Sequence, residues 1–395
     1  GIADWRIVGM HGEGPSLTNL ASRRAFGRTA GAIGLAGAAS RLGFPPVIGA
    51  ASRVSFAHGM DPALLDHRRD AAVAAAVDAT IGATFAHDGI TCQAGLAATL
   101  AQGFFRDEGL DVTVVPSPPD VRAQVAQGNI DAGHAIAWTL VPPMLPAGLN
   151  VGDVVATAGV QRGGLALVVA PESPIRRIAD LLGQKVAAAL SWRIMLADPL
   201  SRLGANPATD VDWQAALPGG QIADALRTGQ VAAATLSDPV ATAMETAGTV
   251  RILTMNNGPG MMDDYCCSVA VGAPLLRADR SKVVAITRAV MRGNAWAQAN
   301  KAAAAQLQIE LGHVTASLAD NLRAIQAVDF TPSVSLARRD TQDMLMHAAR
   351  FGFIDPATDV LGVLSRIFVP VTGELLRLPA TGDAEPEQPV DATGA

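Results

Sequence analysis

From residue 79 onward, short apolar runs alternate with stretches whose apolar positions recur at helical spacing. The runs predict strands over 79–86, 111–115, 130–134, 164–170, 185–189, 231–236, 250–254 and 268–271. The periodic stretches predict helices over 93–107, 121–127, 175–182 and 222–228. Gly109, Gly128-Asn129 and Gly229 stand where those helices must end, and Pro116-Ser117-Pro118-Pro119 closes the second strand. From residue 280 the pattern stays helical to about 365. Strands alternating with helices at this spacing predict βαβ units and mostly parallel sheets. The pattern runs twice, over 79–165 and 166–265. The chain therefore reads as two α/β lobes facing each other across a cleft, followed by a helical C-terminal part.

Composition narrows this picture. Hydrophobic residues are 49% and charged residues 17%, which excludes disorder along most of the length. A net charge of -6 argues against the basic face of a nucleic-acid binder. Three cysteines are too few for a disulfide scaffold. At the N-terminal end, Ser22-Arg23-Arg24-Ala25-Phe26 precedes an uncharged stretch over 29–40 rich in Ala and Gly. Paired arginines before a weakly apolar segment form the pattern of a twin-arginine export signal. Residues 1–60 are accordingly read as leader, and the destination as the periplasm. Residues 61–78 read as a lead-in helix, with Asp61 as N-cap and Pro62 in the first turn. Residues 371–395 read as a disordered tail.

One stretch carries a family likeness. Gly103-Phe104-Phe105-Arg106-Asp107-Glu108-Gly109-Leu110-Asp111-Val112 resembles the GFF-x-x-EGLDV signature of solute-binding proteins serving nitrate, sulfonate, taurine and bicarbonate-type ABC importers. The related thiamine-pyrimidine synthase (NMT1-like) family shares that signature. Gln127-Gly128-Asn129-Ile130-Asp131-Ala132, Asp180-Leu181-Leu182-Gly183-Gln184-Lys185-Val186 and Ala225-Leu226-Arg227-Thr228-Gly229-Gln230-Val231 follow in the family's order. The likeness spans about residues 80–365. It implies a two-lobed, type II periplasmic-binding-protein-like α/β fold with a helical C-terminal part. One lobe would comprise 79–165 plus 268–370, the other 166–267. The implied function is capture of a small, anionic solute by hinge closure and its delivery, by a monomer, to an ABC permease. A pyrimidine-synthase-like enzyme and a sensory binding protein are the alternatives.

Ligands of open α/β sheets bind beyond the carboxyl ends of the strands, where helix N-termini offer N–H donors to anions. That rule selects five loops. They hold His87, Asp88, Thr91, Cys92 and Gln93; His134 and Trp138; Arg162 and Gly163; Ser191, Trp192 and Arg193; and Asp238. Arg162 and Arg193 supply positive charge, Thr91 and Ser191 hydroxyl donors, and the two tryptophans apolar walls. Cys92, Cys266 and Cys267 are candidate soft-metal ligands; the plainer readings are buried thiols or one disulfide from Cys92. The CCCFC-type run of the pyrimidine synthases is reduced here to Cys266-Cys267. No G-x-S-x-G, phosphate-loop or H-E-x-x-H motif occurs, so no catalytic residue is assigned and no cofactor is implied.

Overall fold

The computed structural model describes residues 81–374. The expected leader, the lead-in helix and the tail beyond residue 374 lie outside the described residues.

The first half of the fold begins with β1 (Ile81–His87), α1 (Ala94–Ala101), α2 (Phe104–Asp107), β2 (Leu110–Pro116), α3 (Val121–Gln127), β3 (Ala132–Ala135) and β4 (Val154–Gln161). Next come β5 (Leu165–Val169), β6 (Lys185–Ala187), α4 (Leu190–Arg202), β7 (Asp212–Gln214), α5 (Gly219–Arg227), β8 (Ala233–Ser237), α6 (Val240–Thr246) and β9 (Arg251–Met255). The chain finishes with β10 (Cys267–Gly272), α7 (Ala273–Ala278), α8 (Arg280–Ala299), α9 (Lys301–Glu310), α10 (Leu318–Ile325), α11 (Ser335–Arg350) and α12 (Val360–Ile367). Among the described residues no helix is long and apolar enough to cross a membrane.

Two five-stranded sheets result, in the orders β2-β1-β3-β10-β4 and β7-β6-β8-β5-β9. The expected two-sheet α/β architecture is present, but neither sheet is mostly parallel. β1 pairs in parallel with β2 and β3, whereas β10 runs antiparallel between β3 and β4. In the second sheet β5 is antiparallel to both β8 and β9. The cause is connectivity. The chain leaves the first sheet after β4, builds the whole second sheet, and re-enters the first between β3 and the edge strand β4 in the opposite direction.

Local differences from the sequence pattern have local causes. The helix expected over 93–107 breaks at Gly103, whose φ of +77° is left-handed and ends α1. The helix expected over 175–182 shrinks to a 3-10 turn at Ile178–Leu181. The helical tract over 280–365 is divided into separate helices, turning at Asn300 and Gly312 among other places. Three elements had no signal that period-based reasoning could use. β4 is buried at all eight positions and so shows no alternation. β7 spans three residues. α4 contains Pro199, a residue that usually marks a helix end.

Two crossovers join the sheets, residues 162–164 outward and 256–266 back. A third strand-like segment braces them. Gly159 exchanges backbone hydrogen bonds with Ser333, and Arg162 with Asp329, at 2.8 to 3.0 Å. C-terminal helices reach the second sheet's body as well: α10 packs on α6, and α11 packs on both β4 and α4.

Candidate functional site

The residues the sequence selected lie in or beside the C-terminal ends of β1, β3, β6 and β8, in the first turn of α4, and in or next to the two crossovers. Their placement divides them into groups. His87 ends β1 and stacks on His313, with ring centroids 4.5 Å apart. Burial lowers the pKa of both, His313 to about 4. Asp88 is exposed and locked to buried Gln93: its backbone N–H donates to Gln93 Oε1 at 2.7 Å, and its carboxylate accepts from Gln93 Nε2 at 2.6 Å. Thr91 makes one of the contacts between the two sheet bodies. Its N–H donates to the backbone oxygen of Asp238 at 2.9 Å, while its hydroxyl donates to Asn321 Oδ1 at 2.7 Å.

Other selected residues are engaged in holding the fold. Asp238 caps α6, accepting from the N–H and hydroxyl of Thr242 at 2.9 and 2.8 Å, and burial raises its pKa. Trp192 is core. Arg162 lies 4.0 Å over the Tyr265 ring and pairs with Asp329 at 3.3 Å and Asp340 at 3.6 Å. Its charge is thereby matched at the outward crossover, which gives it a bracing role there. Gly163 and Gly164 follow with φ of +87° and +86°. A Cβ on Gly163 would sit 2.5 Å from the Ala327 oxygen, and one on Gly164 2.7 Å from Cys92 Cβ, so only glycine fits this turn.

A third group is enclosed and chemically unsatisfied. His134 packs against Phe85 at 5.1 Å, with both ring nitrogens enclosed and without a partner. Burial pushes its pKa down to about 4, so the ring is neutral at pH 7. Trp138 is buried and donates from Nε1 to Asp264 Oδ2 at 3.0 Å. The other oxygen of Asp264 has no partner. The side-chain amide of Gln161, the Asn256 Nδ2 and the Ser268 hydroxyl are buried and unpartnered too. Native folds rarely leave such groups alone.

Positive charge without a carboxylate partner occurs on each sheet. Half-buried Arg193, in the first turn of α4 beside Ser191, donates to the backbone oxygens of Ala188 and Gln214 at 3.1 and 2.9 Å. Its counterpart on the first sheet escaped the sequence reading. Arg122, in the first turn of α3, donates to the Met144 oxygen and the Thr139 hydroxyl, both at 3.2 Å. Burial lowers the pKa of both arginines. Arg122 gave no sequence signal because it sits inside an ordinary helical pattern.

Cys92, Cys266 and Cys267 are all buried and free, and among the described residues no group of three or more His, Cys, Asp and Glu side chains is disposed to hold a metal ion.

Comparison with known proteins adds family and fold. A family model described as NMT1/THI5 like matches residues 90–304, more than half of the chain. The chain belongs to the NMT1/THI5-like family. The periplasmic nitrate-binding protein NrtA from Synechocystis PCC 6803 superposes with a TM-score of 0.59 at 15% identity, covering 74% of this chain and 86% of that one. The periplasmic aliphatic sulphonate binding protein SsuA from Escherichia coli gives 0.55 at 19% identity, covering 76% and 97%. The alkanesulfonate-binding protein SsuA from Xanthomonas axonopodis pv. citri, solved with MOPS bound, gives 0.55 at 16%, covering 71% and 97%. These similarities establish the periplasmic binding protein fold for this NMT1/THI5-like chain. Comparison with curated proteins finds no match.

Proposed function

We propose that the protein is the solute-binding component of an ABC importer, which captures a small anionic solute between two lobes. The first lobe comprises 79–165 plus 268–370 and the second 166–267. The protein is exported, works as a monomer and hands its cargo to a membrane permease. Contacts supplied by both lobes exist only when the cleft is shut, so the solute shifts the equilibrium towards closure.

The observation that carries this reading is the pair of part-buried guanidiniums, Arg122 on the first sheet and Arg193 on the second, each in the first turn of a helix and bonded only to neutral oxygens. Such groups keep their charge available, and helix N-terminal N–H groups add to it. His87, Asp88, Thr91, Cys92, Gln93, His134, Trp138, Gly163, Ser191, Trp192 and Asp238 shape the surrounding loops. Arg162 contributes through the hinge.

The test is a thermal-shift and calorimetry screen with nitrate, bicarbonate, alkylsulfonates and taurine, plus neutral pyrimidines. An oxyanion should raise the melting temperature, and Arg193→Met should weaken its binding by about tenfold or more. Silence from every anion with a response to a pyrimidine would overturn the anion reading and favour a pyrimidine-synthase-like activity. Cell fractionation tests export: an uncut chain in the cytosol refutes it. A neighbouring permease gene separates transport from sensing.

A further inference from the structure

A cavity of about 440 Å³ lies beside β9, the outermost strand of the second sheet. Arg176, Arg177 and Arg202 line it together with Ile178, Leu203 and Leu253. Its size falls within the roughly 300–1,000 Å³ of small-molecule sites. It is separate from the loops described above. Arg193 lies in the first turn of α4 and Arg202 ends that helix, about 14 Å further along its axis.

The charges around the cavity do not cancel. Asp180 accepts from the backbone N–H groups of Arg176 and Arg177 and pairs with Arg177 Nε at 3.2 Å, while Asp198 pairs with Arg202 at 2.5 Å. Arg176 has no carboxylate partner among the described residues, and its guanidinium donates to the backbone oxygen of Ser173. Arg251 donates to that same oxygen at 3.3 Å and to the Ile175 oxygen at 2.6 Å, likewise without a carboxylate among the described residues. The Arg251 Nε is enclosed and has no partner. Two guanidiniums thus converge on one neutral oxygen. Burial, and the Arg176 charge beside it, lower the Arg251 pKa.

We propose that this cavity is a second binding site, which takes a soluble organic phosphate: a phosphate monoester carrying an apolar substituent. A monoester brings close to two negative charges at pH 7 and three acceptor oxygens, which suits a pair of guanidiniums without carboxylates. The guanidinium fork matches phosphate oxygens two at a time. The apolar substituent rests on Ile178, Leu203 and Leu253. Leu203 is 52% exposed, so covering it removes apolar surface from water. Arg176, Arg177 and Arg202 are exposed, so the site fills without any movement of the cleft. None of this depends on the identity of the cleft's solute.

The test is calorimetry of the full chain with phenyl phosphate. It should bind in a step that Arg193→Met leaves unchanged, which separates this cavity from the cleft. Arg176→Met should weaken that step about tenfold or more. Leu203→Glu places a carboxylate in the cavity from an exposed position that the fold tolerates, and should weaken it as much. Phenol and inorganic phosphate, each supplying one half of the ligand, should bind more weakly than phenyl phosphate by about tenfold or more. No binding of phenyl phosphate, equal binding by Arg176→Met and Leu203→Glu, or loss in Arg193→Met would each overturn the proposal. So would equal affinity for phenol or for inorganic phosphate, or binding confined to vesicles of anionic phospholipid.

Discussion

Asp264 offers a quantitative test of how strongly this interior resists charge. Its side chain is 3% exposed, one oxygen accepts from Trp138 at 3.0 Å, and the other has no partner. Burial pushes its pKa from 3.8 to about 7. The folded protein therefore keeps a proton that the unfolded chain releases. Between about pH 4 and pH 7 the unfolded state binds fewer protons, so stability falls as pH rises through that window and is level beyond it. A shift of roughly three pKa units at about 1.4 kcal/mol each amounts to about 4 kcal/mol. Asp264→Asn keeps an acceptor for Trp138 and cannot ionise. Urea unfolding of the protein and the variant, followed by tryptophan fluorescence, should show them diverging by about 4 kcal/mol between about pH 4 and pH 8, in the variant's favour. Other titrating groups cancel in the difference. A gap independent of pH would mean that Asp264 ionises as freely as an exposed carboxyl, and the account of this interior would be wrong.

Three further predictions rest on single features. Asn321→Ala should cost about 3 kcal/mol in urea unfolding, because it strands the Thr91 hydroxyl, the Ala305 oxygen and the Gln308 amide oxygen in a buried network; a cost under about 1 kcal/mol refutes that network. Gly164→Ala should lower stability by about 2 kcal/mol or more, and Gly183→Ala by only about 1 kcal/mol. Both have positive φ, but only Gly164 has a neighbour at 2.7 Å, so equal losses would refute the steric part. Finally, the His134 ring should titrate near pH 4 by proton NMR, so its neutral-state stability is lost only as pH falls from about 6.5 through about 4; a midpoint near 6.5 refutes its enclosure.

Much of the fold was legible because its signals are local. β1, β2, α3, β3, β5, β8 and β9 lie within a few residues of the runs that predict them, and Gly128 ends α3 in the left-handed conformation expected of a helix cap. What escaped depends on distant partners. The antiparallel entry of β10 between β3 and β4 leaves no trace in any window of sequence. Arg162 looked like a free charge because Asp329 and Asp340 lie far along the chain. Trp138 looked like a wall for a ligand, yet its indole holds Asp264. Strand ends are set by local pattern and so can be placed from sequence, whereas what a side chain at a strand end does depends on what folds against it.

The insertion of β10 has a consequence for how the protein is made. All five strands of the second sheet lie within residues 165–255, so a nascent chain leaving the ribosome carries everything that sheet needs. The first sheet does not have this property. Until residue 272 emerges, β3 and β4 wait with open edges on either side of a missing interior strand. The later half of the molecule is therefore the early folder, and the earlier half stays exposed to mispairing until synthesis is well past its middle.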